Sequence, residues 1–93
     1  MKIRIQSFSF YASDALTGLG ESTLNKLSHN SNQIEEAKMT LTIDASGEIE
    51  SKVCKVRLGP GLDLFTRKQC QSFEEAILKA SDDLEQQLMR LRK

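Results

Sequence analysis

The stretch Leu62-Asp63-Leu64-Phe65-Thr66-Arg67-Lys68-Gln69-Cys70-Gln71-Ser72-Phe73-Glu74-Glu75-Ala76-Ile77 decides the fold. Its first five residues read as a short strand, Leu62 to Thr66, and Arg67-Lys68 form the joint between that strand and a helix. Ser72 with Glu75 is a capping box: the hydroxyl can accept from the N3 amide while the carboxylate reaches back to the N-cap amide. An amphipathic helix then places Phe73, Ala76, Ile77, Ala80, Leu84, Leu88 and Leu91 on one face. Acids fill its first turn and Arg90, Arg92 and Lys93 close it, as the helix dipole favours.

On the N-terminal side, Gly59-Pro60-Gly61 is a turn, preceded by a strand from Ser51 to Leu58 that sets Lys52, Lys55 and Arg57 among Val53, Cys54 and Val56. Ala45-Ser46-Gly47-Glu48 has turn chemistry. Before it, Ala37, Met39, Leu41 and Ile43 alternate with Lys38, Thr40 and Thr42, the clearest strand in the chain. Met1 to Gln6 alternates in the same way, and the phase shift after Ser7 predicts a bulge or a strand end.

Between these strands Ser13 is an N-cap with Asp14 in the first turn. Leu16, Leu19, Leu24 and Leu27 share a helical face, and His29-Asn30-Ser31-Asn32 ends the helix. Gly18 and Gly20 each cost that helix about 1 kcal/mol relative to alanine, so they read as places where helix and sheet approach closely.

The order is therefore β-α-β-β-β-α, an α+β fold. A helical crossover makes the first two strands parallel if adjacent, while the short later links suit antiparallel neighbours. Two helices should cover one face of a four-stranded sheet, leaving the other face polar and wet. Ninety-three residues make one domain, residues 1–93.

Thirteen basic and thirteen acidic residues cancel, which alone argues against a strong nucleic-acid binder. The distribution is uneven. Residues 35–50 carry five acids against Lys38, and residues 51–70 carry five bases against Asp63, which predicts one acidic edge and one basic side. Cys54 and Cys70 read as reduced thiols. No apolar run reaches the length of a membrane span, so the expected location is cytoplasmic.

Catalytic readings fail on chemistry. His29 has no ligand or carboxylate at useful spacing. The Gly18-Leu19-Gly20 run lacks the Gly-Lys-Ser/Thr ending and preceding strand of a phosphate loop. Glu35-Glu36 and Asp82-Asp83 are adjacent residues that point apart. No nucleophile, base and orienting group converge, so neither an enzyme nor a cofactor, metal or small-molecule substrate is expected. The bases Arg67 and Lys68, Lys79, and Arg90, Arg92 and Lys93 are either dipole compensation or a phosphate-tracking surface. Phe65 and Phe73 read as core, so recognition by shape and backbone charge is expected rather than base stacking.

Several stretches carry a family resemblance: Lys2-Ile-Arg-Ile-Gln-Ser7, Leu24-Asn-Lys26-Leu27, Ile34-Glu-Glu-Ala37-Lys-Met-Thr-Leu41, and above all Phe65-Thr-Arg-Lys68-Gln-Cys70-Gln-Ser-Phe73-Glu-Glu-Ala-Ile77 with Asp83-Leu84-Glu-Gln-Gln-Leu88-Met-Arg90. Together they resemble the ribosome hibernation-promoting factor family (the ribosome-associated inhibitor, or sigma-54 modulation, group). The resemblance implies a fold like that of double-stranded-RNA-binding domains. It also implies a place on the small ribosomal subunit, in the channel of tRNA and mRNA, where idle ribosomes are silenced. A chain ending at Lys93 looks like the family's short type. Position by position, the family's rRNA-facing bases match Lys26, Lys68, Arg90 and Arg92. The lysines usual in the family around Ser22, Thr23, His29, Asp83 and Gln86 are replaced here by neutral or acidic residues. The alternative expectation is a protein-interaction module on the same scaffold with weakened rRNA binding.

Overall fold

A computed structural model describes residues 2–8, 10–29, 34–45, 51–60 and 63–91. The elements are β1 (Lys2–Phe8), α1 (Asp14–His29), β2 (Glu36–Asp44), β3 (Ser51–Gly59), β4 (Leu64–Cys70) and α2 (Phe73–Leu91). The strands form one sheet in the order β1-β2-β3-β4. β1 and β2 run parallel, and β2–β3 and β3–β4 are antiparallel. This is the β-α-β-β-β-α arrangement that the periodicities require.

Alternation along each strand sends one set of side chains inward. Ala37, Met39 and Leu41 of β2 and Cys54, Val56 and Leu58 of β3 are buried in a core with Leu16, Leu24 and Leu27 of α1. From α2 the same core receives Phe73, Ala76, Ile77, Ala80, Leu84 and Leu88. Both helices therefore lie on one sheet face, where their apolar stripes remove the most surface from water. Both helix starts are capped by a serine: Ser13 Oγ accepts the Leu16 amide at 3.1 Å and Ser72 Oγ accepts the Glu75 amide at 3.2 Å.

Several expectations are corrected. β4 begins at Leu64 and runs through Arg67 and Lys68 to Cys70, so these two bases belong to the strand and not to a joint. Pairing with β3 fixes the parity: Leu58 faces Leu64, Val56 faces Thr66 and Arg57 faces Phe65. Inward Leu64 and Thr66 force Phe65 outward, where it is 49% exposed, not core. Leu91 is exposed as well. α2 runs back along β4, with Gln87 Nε2 donating to the Phe65 carbonyl at 3.2 Å near that strand's first residue. The last turn of α2 consequently passes the sheet's end.

Gly20 is a close approach, since a Cβ there would meet Ile5 Cδ1 at 2.9 Å and Met39 Sδ at 3.0 Å. Gly18 is not, because nothing lies within 4 Å of its Cβ position. β1 continues through Phe8 without interruption of its pairing. The expected turn at Ser46-Gly47-Glu48, the helix end at Asn30-Ser31-Asn32, Gly61 and the strand start at Leu62 lie outside the described residues. No helix among the described residues is long and apolar enough to cross a membrane.

Candidate nucleic-acid interface

The bases expected at the interface occupy three different settings. Lys26 and Arg90 are exposed in the last turns of α1 and α2. Strand directions make the two helices parallel, so both last turns lie at the same end of the molecule. Lys68 and Lys79 lie on the other half and are each met by a carboxylate. Lys68 Nζ is 3.9 Å from Asp83 Oδ2, and Lys79 Nζ is 3.2 Å from Glu75 Oε1. That bond, the Cys70 thiol and the Glu75 charge raise the Lys79 pKa in that order. Asp83 to Arg90 spans about 10 Å of helix axis at roughly 1.5 Å per residue. Arg67, by contrast, points out from the opposite sheet face, and Arg92 and Lys93 lie outside the described residues.

The helix layer is in fact the acidic side. Asp14 and Glu21 on α1, and Glu74, Glu75, Asp82, Asp83 and Glu85 on α2, outnumber Lys26, Lys79 and Arg90. Asp83 also fastens α2 to the sheet: its Oδ2 accepts the Thr66 hydroxyl at 2.6 Å and the Gln87 amide at 3.2 Å.

Arg4, Lys38, Lys55 and Arg57, which sequence reading passed over, converge with Arg67 on the sheet face away from the helices, which is open at their rows and buries Val53 further along β3. Register places Arg4 beside Lys38, Lys38 beside Arg57, and Arg57 beside Phe65, one row across all four strands. The next row is Gln6, Thr40, Lys55 and Arg67. Lys2 adds a further cation on the β1 edge. Among the described residues the carboxylates on this face are Glu36, whose Oε1 is 3.8 Å from Arg4 Nε, Asp44, and at its rim Asp63, which lines shallow depressions with Lys38, Arg57 and Phe65. Lys38, Thr40, Lys55, Arg57 and Phe65 line an open depression of about 340 Å³. The Arg57 guanidinium carbon sits 5.9 Å from the centre of the Phe65 ring, within cation–π range.

The expected split into an acidic segment and a basic segment therefore does not map onto two sides. A period of two sends Lys52 inward, 6.0 Å from the Phe73 ring centre, while Lys55 and Arg57 go outward. Lys38, from the acidic segment, lies between two arginines. The signal was in the sequence as the parity of Arg4, Lys38, Lys55, Arg57 and Arg67. It becomes visible only once strand order and register are known.

Known proteins share this fold. The family described as sigma 54 modulation protein / S30EA ribosomal protein matches residues 3–93, and the chain belongs to that family. A search of curated proteins finds no match. Among solved structures, the Thermus thermophilus Protein Y N-terminal domain superposes with a TM-score of 0.81 at 22% identity, covering 98% of this chain and 99% of that one. A ribosomal subunit interface protein from Coxiella burnetii gives a TM-score of 0.86 at 18% identity, covering 99% and 98%. At these identities the structures speak to the fold.

Proposed function

We propose that this member of the sigma 54 modulation protein / S30EA family is a non-enzymatic, cytoplasmic, ribosome-associated factor, acting as one domain over residues 1–93. It binds the small ribosomal subunit near the tRNA and mRNA channel and helps to silence idle ribosomes. The observation that carries this reading is the family match over residues 3–93. Charge separation supports it. A basic sheet face and an acidic helix layer orient a neutral protein toward RNA phosphates, which attract cations strongly and release counterions on contact. Lys26 and Arg90, exposed at one end, extend the cationic surface available to rRNA.

Sedimentation with purified small subunits tests the reading. The protein co-pellets at low ionic strength and is released as salt rises. Absence from the pellet at low salt contradicts it. The carboxylates beside Lys68 and Lys79 favour a second reading, a protein-interaction module with weakened rRNA affinity. That reading predicts capture of non-ribosomal proteins in excess of small subunits.

A further inference from the structure

We propose that the uncovered sheet face is a binding surface for single-stranded RNA, with phosphates on the Arg4–Lys38–Arg57 row and an unpaired base on Phe65. The inference rests on the ribosome-associated reading only for where such RNA is met.

Three features of the molecule point to this ligand. First, like charges stand directly opposite one another: Arg4 and Lys38, Lys38 and Arg57, and Lys55 and Arg67 are Cα partners across neighbouring strands. Such pairs repel and weaken a sheet, and a polyanion laid across them relieves the repulsion. The row of four strands spans about 14 Å at roughly 4.8 Å between strands, a continuous track for a backbone. Second, the ring at the end of this track is half exposed and already flanked by a guanidinium. Phe8 is a second exposed ring on the same face at the opposite edge, beside Thr42. Third, the helix layer carries a surplus of carboxylates and would repel the same polyanion, so the sheet face sets the docking side.

The rings choose between single and double strands. Bases inside a duplex are stacked on one another and offer an exposed ring nothing. Duplex RNA is read by shape and phosphate contacts, with protein elements reaching successive grooves. An unpaired base gains a new stacking partner on a phenyl ring next to a cationic track. Thr40, Gln6 and Gln69 share the face and supply hydrogen-bonding groups for base edges or ribose hydroxyls. An acidic polypeptide would satisfy the cations but would leave both rings unused.

Fluorescence anisotropy with a labelled decauridylate, which cannot pair with itself, tests the proposal on the full chain. The expected result is binding at low salt that falls as salt rises. Arg57→Gln or Lys38→Gln lowers the logarithmic salt slope by roughly 0.7 for each phosphate contact removed. Phe65→Ala weakens binding about fivefold or more without changing that slope, as a stacking contact does. Lys79→Gln, on the helix layer, leaves binding unchanged. The three substituted cations and Phe65 are outside the core, and a cooperative circular dichroism melt identifies folded variants.

Tighter binding of a hairpin duplex than of decauridylate overturns the proposal. So does equal binding of polyglutamate, or indifference to both Phe65→Ala and Arg57→Gln. Decauridylate binding without small-subunit pelleting overturns the ribosome reading alone. Pelleting that is unaffected by Phe65→Ala and Arg57→Gln overturns the sheet-face assignment alone.

Discussion

Lys38 and Arg57 stand opposite each other across β2 and β3, with Arg4 directly on the far side of Lys38. Three cations in a row on an uncovered sheet face lower the stability of the free protein, because like charges directly opposite repel. Replacing Lys38 by threonine, a β-branched residue that suits an outward strand position, should raise unfolding stability by about 0.2–1 kcal/mol. Urea denaturation of the two proteins measures this. Added salt should narrow the difference, since screening weakens exposed charge interactions. A loss of stability in Lys38→Thr contradicts the repulsion.

Asp83 joins α2 to β4 through one oxygen that receives Thr66 and Gln87 and lies near Lys68. Thr66 is 3% exposed, so its hydroxyl has little access to water if the carboxylate is removed. Asp83→Ala should therefore cost about 1–3 kcal/mol. Lys68→Ala, which breaks a long and part-exposed ion pair, should cost under about 1 kcal/mol. Equal losses from the two would show that the ion pair, and not the hydroxyl, holds the joint.

The two helical glycines should respond in opposite ways to alanine. At Gly18 the new methyl meets open space, so Gly18→Ala should gain about 0.5–1 kcal/mol from helix propensity. At Gly20 the same propensity gain is offset by crowding against Ile5 and Met39, which typically costs about 1–3 kcal/mol. Thermal melts compare them. A Gly20→Ala variant more stable than Gly18→Ala would contradict the close packing of α1 on the sheet.

Burial pushes the Cys54 thiol up to about 12, with the neighbouring Cys70 adding to the shift. In the unfolded chain the thiol ionises near its ordinary value of about 8.5. Between these two values the unfolded state has lost a proton that the folded state keeps. Stability contributed by the protonated thiol is thus complete below about pH 8.5 and is lost as pH rises toward 12. The slope approaches about 1.4 kcal/mol per pH unit. Cys54→Ala should flatten it in denaturation curves taken from pH 8 to 11. Cys54 in the native protein should also resist alkylation until the chain unfolds.

The scaffold was legible because three signals agreed. Alternation in residues 37–43 specifies β2, the Ser72 cap and the apolar stripe specify α2, and the α1 crossover makes β1 and β2 parallel. The cationic surface was harder to read. Phe65 looks like core by composition, and only pairing with Arg57 turns it outward. Lys55 and Arg57 look scattered along the chain, yet they stand beside Arg67 and Lys38 once three strands are aligned. Charge at a helix end is visible in sequence because it is local. Charge spread over four strands is not, because its continuity lies in the register. The Lys68 ion pair is hidden for a related reason: in sequence Asp83 looks like a solvated edge, and the cation it faces is set by the packing of α2 on β4, whereas the Glu75–Lys79 pair is a local i,i+4 spacing within one helix.

Lysine acylation of the protein, free and bound to small ribosomal subunits, tests the central claim most directly, with mass spectrometry reading each site. The account predicts that Lys38 and Lys55 on the sheet face become protected on binding while Lys79 on the helix layer stays reactive. Protection of Lys79 with Lys38 and Lys55 still reactive would contradict it and return the interface to the helices.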